Sequence, residues 1–261
     1  MGGAKDLSIY QLLTAYLFVV ILIVIVKIRN IPREKLILLS SIRMTLQLIL
    51  TGYILIYVFK YPNVIITIVI LLVMETFSVM NIIKTHKANL TGFLKKSILI
   101  SMFAGSISTL LFFIIFVVKN PPWYSPQYFI PLSGMFIGNS MTGLSLAVSR
   151  LITGMDKDKN LIETYLMLGA SPKRACKDIV NTAFDSAILP TVNSMLGMGI
   201  VFLPGMMTGQ ILSGSSPLVA IKYQIAIMLG ILGSVSITVL IFLYLGFRNY
   251  FNDEAQLIDK E

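Results

Sequence analysis

The sequence predicts an all-α integral membrane protein with seven transmembrane helices, its N-terminus outside, its C-terminus inside and one long cytoplasmic loop. Of its 261 residues, 56% are apolar and only 13% are charged, and the mean hydropathy is +0.84. A soluble domain carries about 25% charged residues, so this chain has too few to cover a water-facing surface, which excludes a soluble enzyme. The basic residues lie between long apolar runs, so the net charge of +9 indicates membrane topology and not nucleic acid as a partner.

Seven apolar stretches are long enough to cross the hydrocarbon layer of a lipid bilayer, which takes about 20 helical residues. No segment outside them is long enough to form a core of its own, so residues 1–261 are predicted to form one membrane domain. The first stretch is too long for the apolar part of a signal peptide, and we expect it to be retained. The predicted spans cover residues 8–26, 36–59, 64–81, 97–118, 128–149, 188–211 and 217–247, and the cytoplasmic loop covers 150–187.

The basic residues of the loops predict the orientation, because lysine and arginine accumulate on the cytoplasmic side. The cytoplasmic group is Lys27, Arg29, Arg33, Lys35, Lys84, Lys87, Lys95, Lys96, Arg150, Lys157, Lys159, Lys173, Arg174, Lys177, Arg248 and Lys260. The outer group is Lys5, Lys60, Lys119 and Lys222. This asymmetry fits seven spans with the N-terminus out at every loop.

The long loop is predicted to contain a helix, a turn and a second, basic helix. Gly169 is suited to end the first helix in a left-handed conformation, and Ser171 followed by Pro172 is typical of the start of the next. Two interpretations are open: an interfacial helix lying on lipid headgroups, or a helix that docks into a groove of a cytoplasmic partner. The apolar residues at helical spacing are Leu161, Ile162, Tyr165 and Leu168.

The same loop resembles the "EAA" loop through which ABC-transporter permeases contact their ATPase, with Glu163 six positions before Gly169. Further strings, in order along nearly the whole membrane domain, are similar to the FetB-like permeases, a subfamily associated with iron or metal export and, in plants, with aluminium tolerance. These strings are RMTLQLILTGY (43–53), PLSGMFIGNSM (131–141), LGASPK (168–173), LPTV (189–192), LPGMMTG (203–209) and AIKYQ (220–224).

The resemblance implies the permease subunit of a metal exporter in a bacterial plasma membrane, working as a homodimer with a separate cytoplasmic ABC ATPase. No phosphate-binding Gly-x-x-x-x-Gly-Lys-Ser/Thr loop is present, since Leu144 stands where the lysine belongs in the nearest string. The chain is therefore predicted to hold no cofactor and to be no enzyme. The expected ATPase-coupling residues are Leu161, Ile162, Glu163, Tyr165, Leu168, Gly169, Ser171, Pro172, Lys173 and Arg174.

Two other functions fit the span count. A secondary transporter is usually marked by internal inverted repeats, and no clear repeat is visible. A seven-span receptor or retinal protein is the other; the latter needs a lysine in the middle of the last span, whereas Lys222 lies about five residues inside its outer end.

Polar residues within the spans are the candidates for a translocation path, because such groups are costly in lipid. Arg43 and Glu75 lie at similar depth on neighbouring predicted helices, so we hypothesise an ion pair; the alternative is that Arg43 reaches the headgroups on its own. His86, in a predicted loop, is expected to be solvated. The path candidates are Arg43, Gln47, Glu75, Asn139, Asn193, Pro204, Met206 and Met207.

Several of these candidates have alternative explanations. Pro204 lies well inside the sixth predicted span among several glycines and predicts a hinge or gate at residues 203–209. Asn139 and Asn193 could line a path or bond between helices. Met206 and Met207 could offer soft sulfur ligands, although methionine more often fills gaps in packing. A metal site is not identified by these residues.

Overall fold

The computed structural model describes residues 7–87, 90–119, 121–252 and 254–258. Helices make up 82% of the structure, and these ranges contain no strand. Lys5 and Lys260, which contribute to the predicted orientation, lie outside the described residues. The helices are α1 (Ile9–Ala15), α2 (Leu17–Ile28), α3 (Glu34–Lys60), α4 (Val64–Thr85), α5 (Gly92–Phe112), α6 (Pro126–Lys157), α7 (Lys159–Met167), α8 (Pro172–Ala175), α9 (Lys177–Gly197), α10 (Gly205–Leu212) and α11 (Pro217–Gly246).

Five helical segments of the described chain are long and apolar enough to cross a bilayer. They correspond to the first four predicted spans and to the seventh. The all-α fold with several membrane-crossing helices is therefore confirmed, whereas the count of seven spans and the orientation stay predictions. The five segments are Ile9–Ile28, Glu34–Lys60, Val64–Thr85, Gly92–Val118 and Pro217–Tyr250.

The predicted fifth span, 128–149, lies inside α6, which has 32 residues and is about 48 Å long at 1.5 Å per residue. This helix is the centre of the bundle and packs against α4, α5, α9 and α11. Small and polar residues such as Ser133 and Ser140 are buried along it. A helix surrounded by other helices can be less apolar than one that faces lipid, which is why α6 lacks the hydropathy of the five segments above.

The sixth predicted span, 188–211, is not one continuous helix. The chain leaves the helical conformation after Gly197 and resumes it only at Gly205, where α10 begins. Gly199 has a left-handed backbone (φ +84), and Pro204 is extended (ψ 145) and lacks an N–H group, so neither residue continues the preceding helix. The break thus covers residues 198–204, whereas most of the hinge predicted at 203–209 lies within α10.

The predicted cytoplasmic segment 150–187 is mostly helical. Helix α6 continues to Lys157, and α7, α8 and the first half of α9 occupy most of the remainder. These segments are amphipathic, and Ile162, Ala183 and Ala187 are buried in the bundle. Their low mean hydropathy reflects one exposed polar face and not a lack of helix.

The core of the bundle depends on close approach between α5, α6 and α11. A Cβ atom at Gly105 would lie 2.6 Å from the Cα atom of Thr238, and one at Gly143 would lie 2.6 Å from a methyl group of Val235. The hydroxyl groups of Ser140 and Ser234 form a hydrogen bond of 2.8 Å across α6 and α11. Small residues at these positions let the helix backbones come together, which is how helices associate in membranes.

Helices α1 to α3 pack much less tightly than the others. In α2 only Val26 is buried, and in α3 only Val58. The two helices contact each other, and the Tyr16 hydroxyl forms a hydrogen bond with Thr45. The apolar faces of this pair are therefore available to lipid or to another chain.

Candidate functional site

The helix–turn–helix predicted around Gly169 is confirmed. Gly169 adopts a left-handed conformation (φ +85) directly after α7. The Ala170 N–H donates to the Tyr165 carbonyl and the Gly169 N–H to the Leu166 carbonyl, both at 2.9 Å, which is the Schellman pattern for a helix end. Ser171 and Pro172 then begin α8, although the Ser171 side chain accepts no capping hydrogen bond.

The predicted apolar stripe of α7 divides into an anchor and an exposed end. Ile162 is 1% exposed and fixes the helix to the bundle, whereas Tyr165 is 41% and Leu168 78% exposed. Met167, which the helical spacing did not single out, is 86% exposed. Tyr165, Met167 and Leu168 together form what we call the apolar tip. Met167 is the last residue of α7, directly before the turn predicted at Gly169, and this position at the helix end is the signal that could have found it.

Other predicted coupling residues surround the apolar tip. Glu163 forms an ion pair with Lys159 at 4.0 Å, and both side chains are about 40% exposed. Leu161 is half exposed. Lys173 and Arg174 lie on α8, and both are exposed. The tip is thus an apolar surface with charged residues beside it.

The predicted ion pair between Arg43 and Glu75 is wrong. The Arg43 guanidinium carbon lies 5.2 Å from the centre of the Phe77 ring, which is a cation–π contact. Glu75 is fully buried and accepts a hydrogen bond from the Ser106 hydroxyl on α5. Its second carboxyl oxygen, Oε2, has no hydrogen-bond partner among the described residues. Arg43 is on the exposed face of α3, whereas Glu75 is on the inner face of α4, so equal depth did not bring them together.

The polar path candidates lie on open faces of the bundle. Asn139 is exposed on α6, Asn193 on α9 and Gln47 on α3. The Asn139 amide donates to the Met135 carbonyl one turn earlier at 2.7 Å. That hydrogen bond lies within α6, so it is not the bond between helices that one interpretation had predicted for Asn139.

The residues near the break of α9 serve in packing. Met207 is buried, Met206 packs against the core, and Pro204 precedes the first residue of α10. Within the ranges that the structure describes, no group of three His, Cys, Asp or Glu residues could hold a metal ion. The sulfur atoms of Met206 and Met207 and the amides of Asn139 and Asn193 are thus not gathered with such a group into a metal site in the described part of the chain.

Two titratable groups lie at the end of the bundle that carries α7. The His86 ring is partly buried and forms a hydrogen bond of 3.0 Å with Ser145, so it is only partly exposed to solvent. Burial lowers its pKa, and the hydrogen bond opposes that effect. Cys176 is fully buried, which raises the pKa of its thiol to about 12.

A bundle of long apolar helices packed through small residues defines a multi-pass membrane protein. The chain belongs to the family described as "Uncharacterised protein family (UPF0014)", whose model matches residues 9–251. It is 38% identical over 219 residues to "UPF0014 membrane protein slr1647" of Synechocystis, covering 83% of each chain. It is 32% identical to the "Probable iron export permease protein FetB" of Escherichia coli, covering 98% of this chain and 97% of that one. No solved structure matches it.

The family also has plant members. The chain is 32% identical to "Protein ALUMINUM SENSITIVE 3" of Arabidopsis thaliana over 244 residues, which is 93% of this chain and 88% of the relative. The resemblance to FetB-like permeases that the sequence strings indicated is confirmed. A relative named as a permease agrees with a transporter subunit and not with an enzyme.

Proposed function

We propose that this chain is the permease subunit of an ABC transporter that exports iron or another metal ion across a bacterial plasma membrane. A separate cytoplasmic ATPase supplies the energy, and two copies of the chain form the permease. Family membership and the relative named as an iron export permease support the transport function. The apolar tip is the observation that carries the coupling to an ATPase.

The apolar tip is built as a docking surface. Met167 and Leu168 are among the most exposed apolar side chains of the described chain, and they stand at a turn that the Schellman hydrogen bonds hold rigid. Ile162 anchors the helix behind them, so the tip keeps its position relative to the bundle. Large exposed apolar residues with charged residues around them are typical of surfaces that bind another protein. A groove on a cytoplasmic ATPase would cover them.

The exposed polar residues of α6 and α9 support a path between two copies. In a single copy Asn139 and Asn193 would face hydrocarbon, which is costly for an amide group. Polar groups within a bilayer generally face the bundle interior or a water-filled cavity. A second copy placed against these faces would enclose them, and its own Asn139 and Asn193 would line the same cavity.

The test is to purify the full chain from its native membrane in mild detergent and to measure ATP hydrolysis in the eluate. We expect an ATPase to co-purify, and its activity in reconstituted vesicles to rise with Fe(II) or another metal ion. Leu168→Asp should lower ATPase association by about 30-fold, the effect of losing about 2 kcal/mol at the centre of an interface. The matched control is Asn160→Asp, which adds the same charge at an exposed position of α7 away from the tip.

Two results would contradict the proposal. One is transport that follows an ion gradient without any co-purifying ATPase, which indicates a secondary transporter. The other is equal loss of the ATPase in Leu168→Asp and in Asn160→Asp, which indicates that the charge and not the apolar tip governs association.

A further inference from the structure

A cleft of about 610 Å³ lies beside the apolar tip, between the α8–α9 segment and the end of α11. One wall carries the exposed cations Lys173, Arg174 and Lys177. Its floor comes from the last two turns of α11 and the residue after it, including Tyr244 and Phe247. The volume is within the range of small-molecule sites, about 300–1,000 Å³.

The charge of the three cations is not balanced by any carboxylate of the described residues that line the cleft. Among the described residues, no acidic side chain lines the cleft, and none of the three cations forms an ion pair there. Asp178, next to Lys177 in the chain, lines a different cavity together with Arg150. The three cations therefore repel one another along one wall of the cleft.

The helix geometry increases this imbalance. Lys177 is the first residue of α9, a helix of 21 residues, and Lys173 and Arg174 come just before it. The N-terminus of a helix carries partial positive charge, so cations there are unfavourable and an anion is favourable. Asp178 in the first turn of α9 offsets part of the helix dipole but faces a different cavity, so an anion bound in the cleft would still offset the three side-chain charges.

The floor indicates what else the ligand contains. Leu240 and Tyr244 are 53% and 55% exposed along the outer face of α11, and Leu243 and Phe247 are buried behind them. Leu240 and Tyr244 lie in the last two turns of α11, at the end that the predicted orientation places at the cytoplasmic surface of the bilayer. The Arg248 guanidinium stacks 4.6 Å from the centre of the Tyr244 ring and adds a fourth cation at this end.

We infer that this cleft binds an anionic phospholipid, with the phosphate between Lys173, Arg174 and Lys177 and the acyl chains along Leu240 and Tyr244. Basic pockets at the cytoplasmic ends of membrane helices bind anionic headgroups in this way, and anionic lipids concentrate in the cytoplasmic leaflet. A soluble phosphate would leave the apolar floor unused. The inference stands whether or not the permease is driven by ATP.

The test uses the purified full chain and native mass spectrometry after equilibration with equal amounts of phosphatidylglycerol and phosphatidylcholine. We expect the protein to retain phosphatidylglycerol preferentially. A triple variant that combines Lys173→Gln, Arg174→Gln and Lys177→Gln should lower that preference by at least about tenfold, since each cation near an anionic surface contributes a factor of about five. Asn181→Trp should lower retention without changing the charge, because Asn181 lines the cleft and is exposed.

The matched control combines Lys27→Gln, Lys35→Gln and Lys96→Gln, which removes three exposed cations elsewhere and should keep the preference. Circular dichroism and size-exclusion profiles identical to those of the parent protein will show that each variant is folded. Equal loss of preference in the control overturns the inference, as does equal retention of both lipids by the parent protein. Displacement of phosphatidylglycerol by glycerol phosphate also overturns it, because that result identifies a site for a soluble anion.

Discussion

The contact between α5 and α11 makes the sharpest prediction about the fold. In Gly105→Ala the new Cβ atom would lie 2.6 Å from the Thr238 Cα atom, whereas carbon atoms pack at about 3.5–4.0 Å. The obstacle is backbone, so the two helices must separate locally by about 1 Å. Overpacking of this kind costs about 1–3 kcal/mol, and the better helix propensity of alanine returns about 1 kcal/mol of it. We expect a net loss of up to about 2 kcal/mol in the free energy of unfolding.

The control is Gly233→Ala on α11, where no atom lies within 4 Å of the new Cβ. This variant should gain up to about 1 kcal/mol, so the two variants should differ by the overpacking cost of about 1–3 kcal/mol. For a chain of this size the difference corresponds to roughly 2–12 °C in Tm. Thermal unfolding in detergent, followed by size-exclusion chromatography with fluorescence detection, measures it. If Gly105→Ala is as stable as Gly233→Ala, α5 and α11 are not in the close contact described.

Three further predictions concern single side chains. Arg43 and Glu75 make no contact, so the effects of Arg43→Gln and Glu75→Gln on the free energy of unfolding should add within about 0.5 kcal/mol. A double-mutant cycle measures this, and a coupling energy well above that value would show that the two side chains do form an ion pair. The Cys176 thiol is buried, and its pKa is raised to about 12. It should therefore react with maleimide at about pH 7.5 only after the protein is unfolded in SDS. Rapid labelling of the folded protein would show that the thiol lies at the surface. The pKa of His86 is lower in the folded state than in the unfolded state, so the unfolded state takes up a proton first as the pH falls. The free energy of unfolding should therefore decrease below about pH 6.5. In a profile of Tm against pH, His86→Gln should remove this contribution.

The length of the apolar runs located most helices. Backbone N–H and C=O groups without hydrogen-bond partners are costly in lipid, so a single apolar run that crosses the bilayer forms a helix. The turn at Gly169 was equally accessible, since a glycine followed by Ser171 and Pro172 combines an end signal with a start signal. The first half of α9 was left outside the predicted sixth span because Asp178, Asn181 and Asp185 give it a polar face and a low mean hydropathy.

The pairing of Arg43 with Glu75 failed for a geometric reason. Counting residues from the end of a helix gives the depth of a side chain but not its direction around the helix axis. Arg43 is on the exposed face of α3, and Glu75 is on the buried face of α4. Only packing fixes that rotation, and in a helix that is apolar on every side the sequence contains little information about it.

The apolar tip and the basic cleft are neighbours along the chain, yet mutations can separate them. Leu168 precedes the turn at Gly169 and does not line the cleft, whereas Lys177 lines the cleft and begins α9. Leu168→Asp should therefore release the ATPase and keep the preference for phosphatidylglycerol. Lys177→Gln should weaken lipid retention and keep the ATPase bound. If both variants lose both properties, the tip and the cleft act as one surface, and the lipid must then be assigned to the ATPase interface.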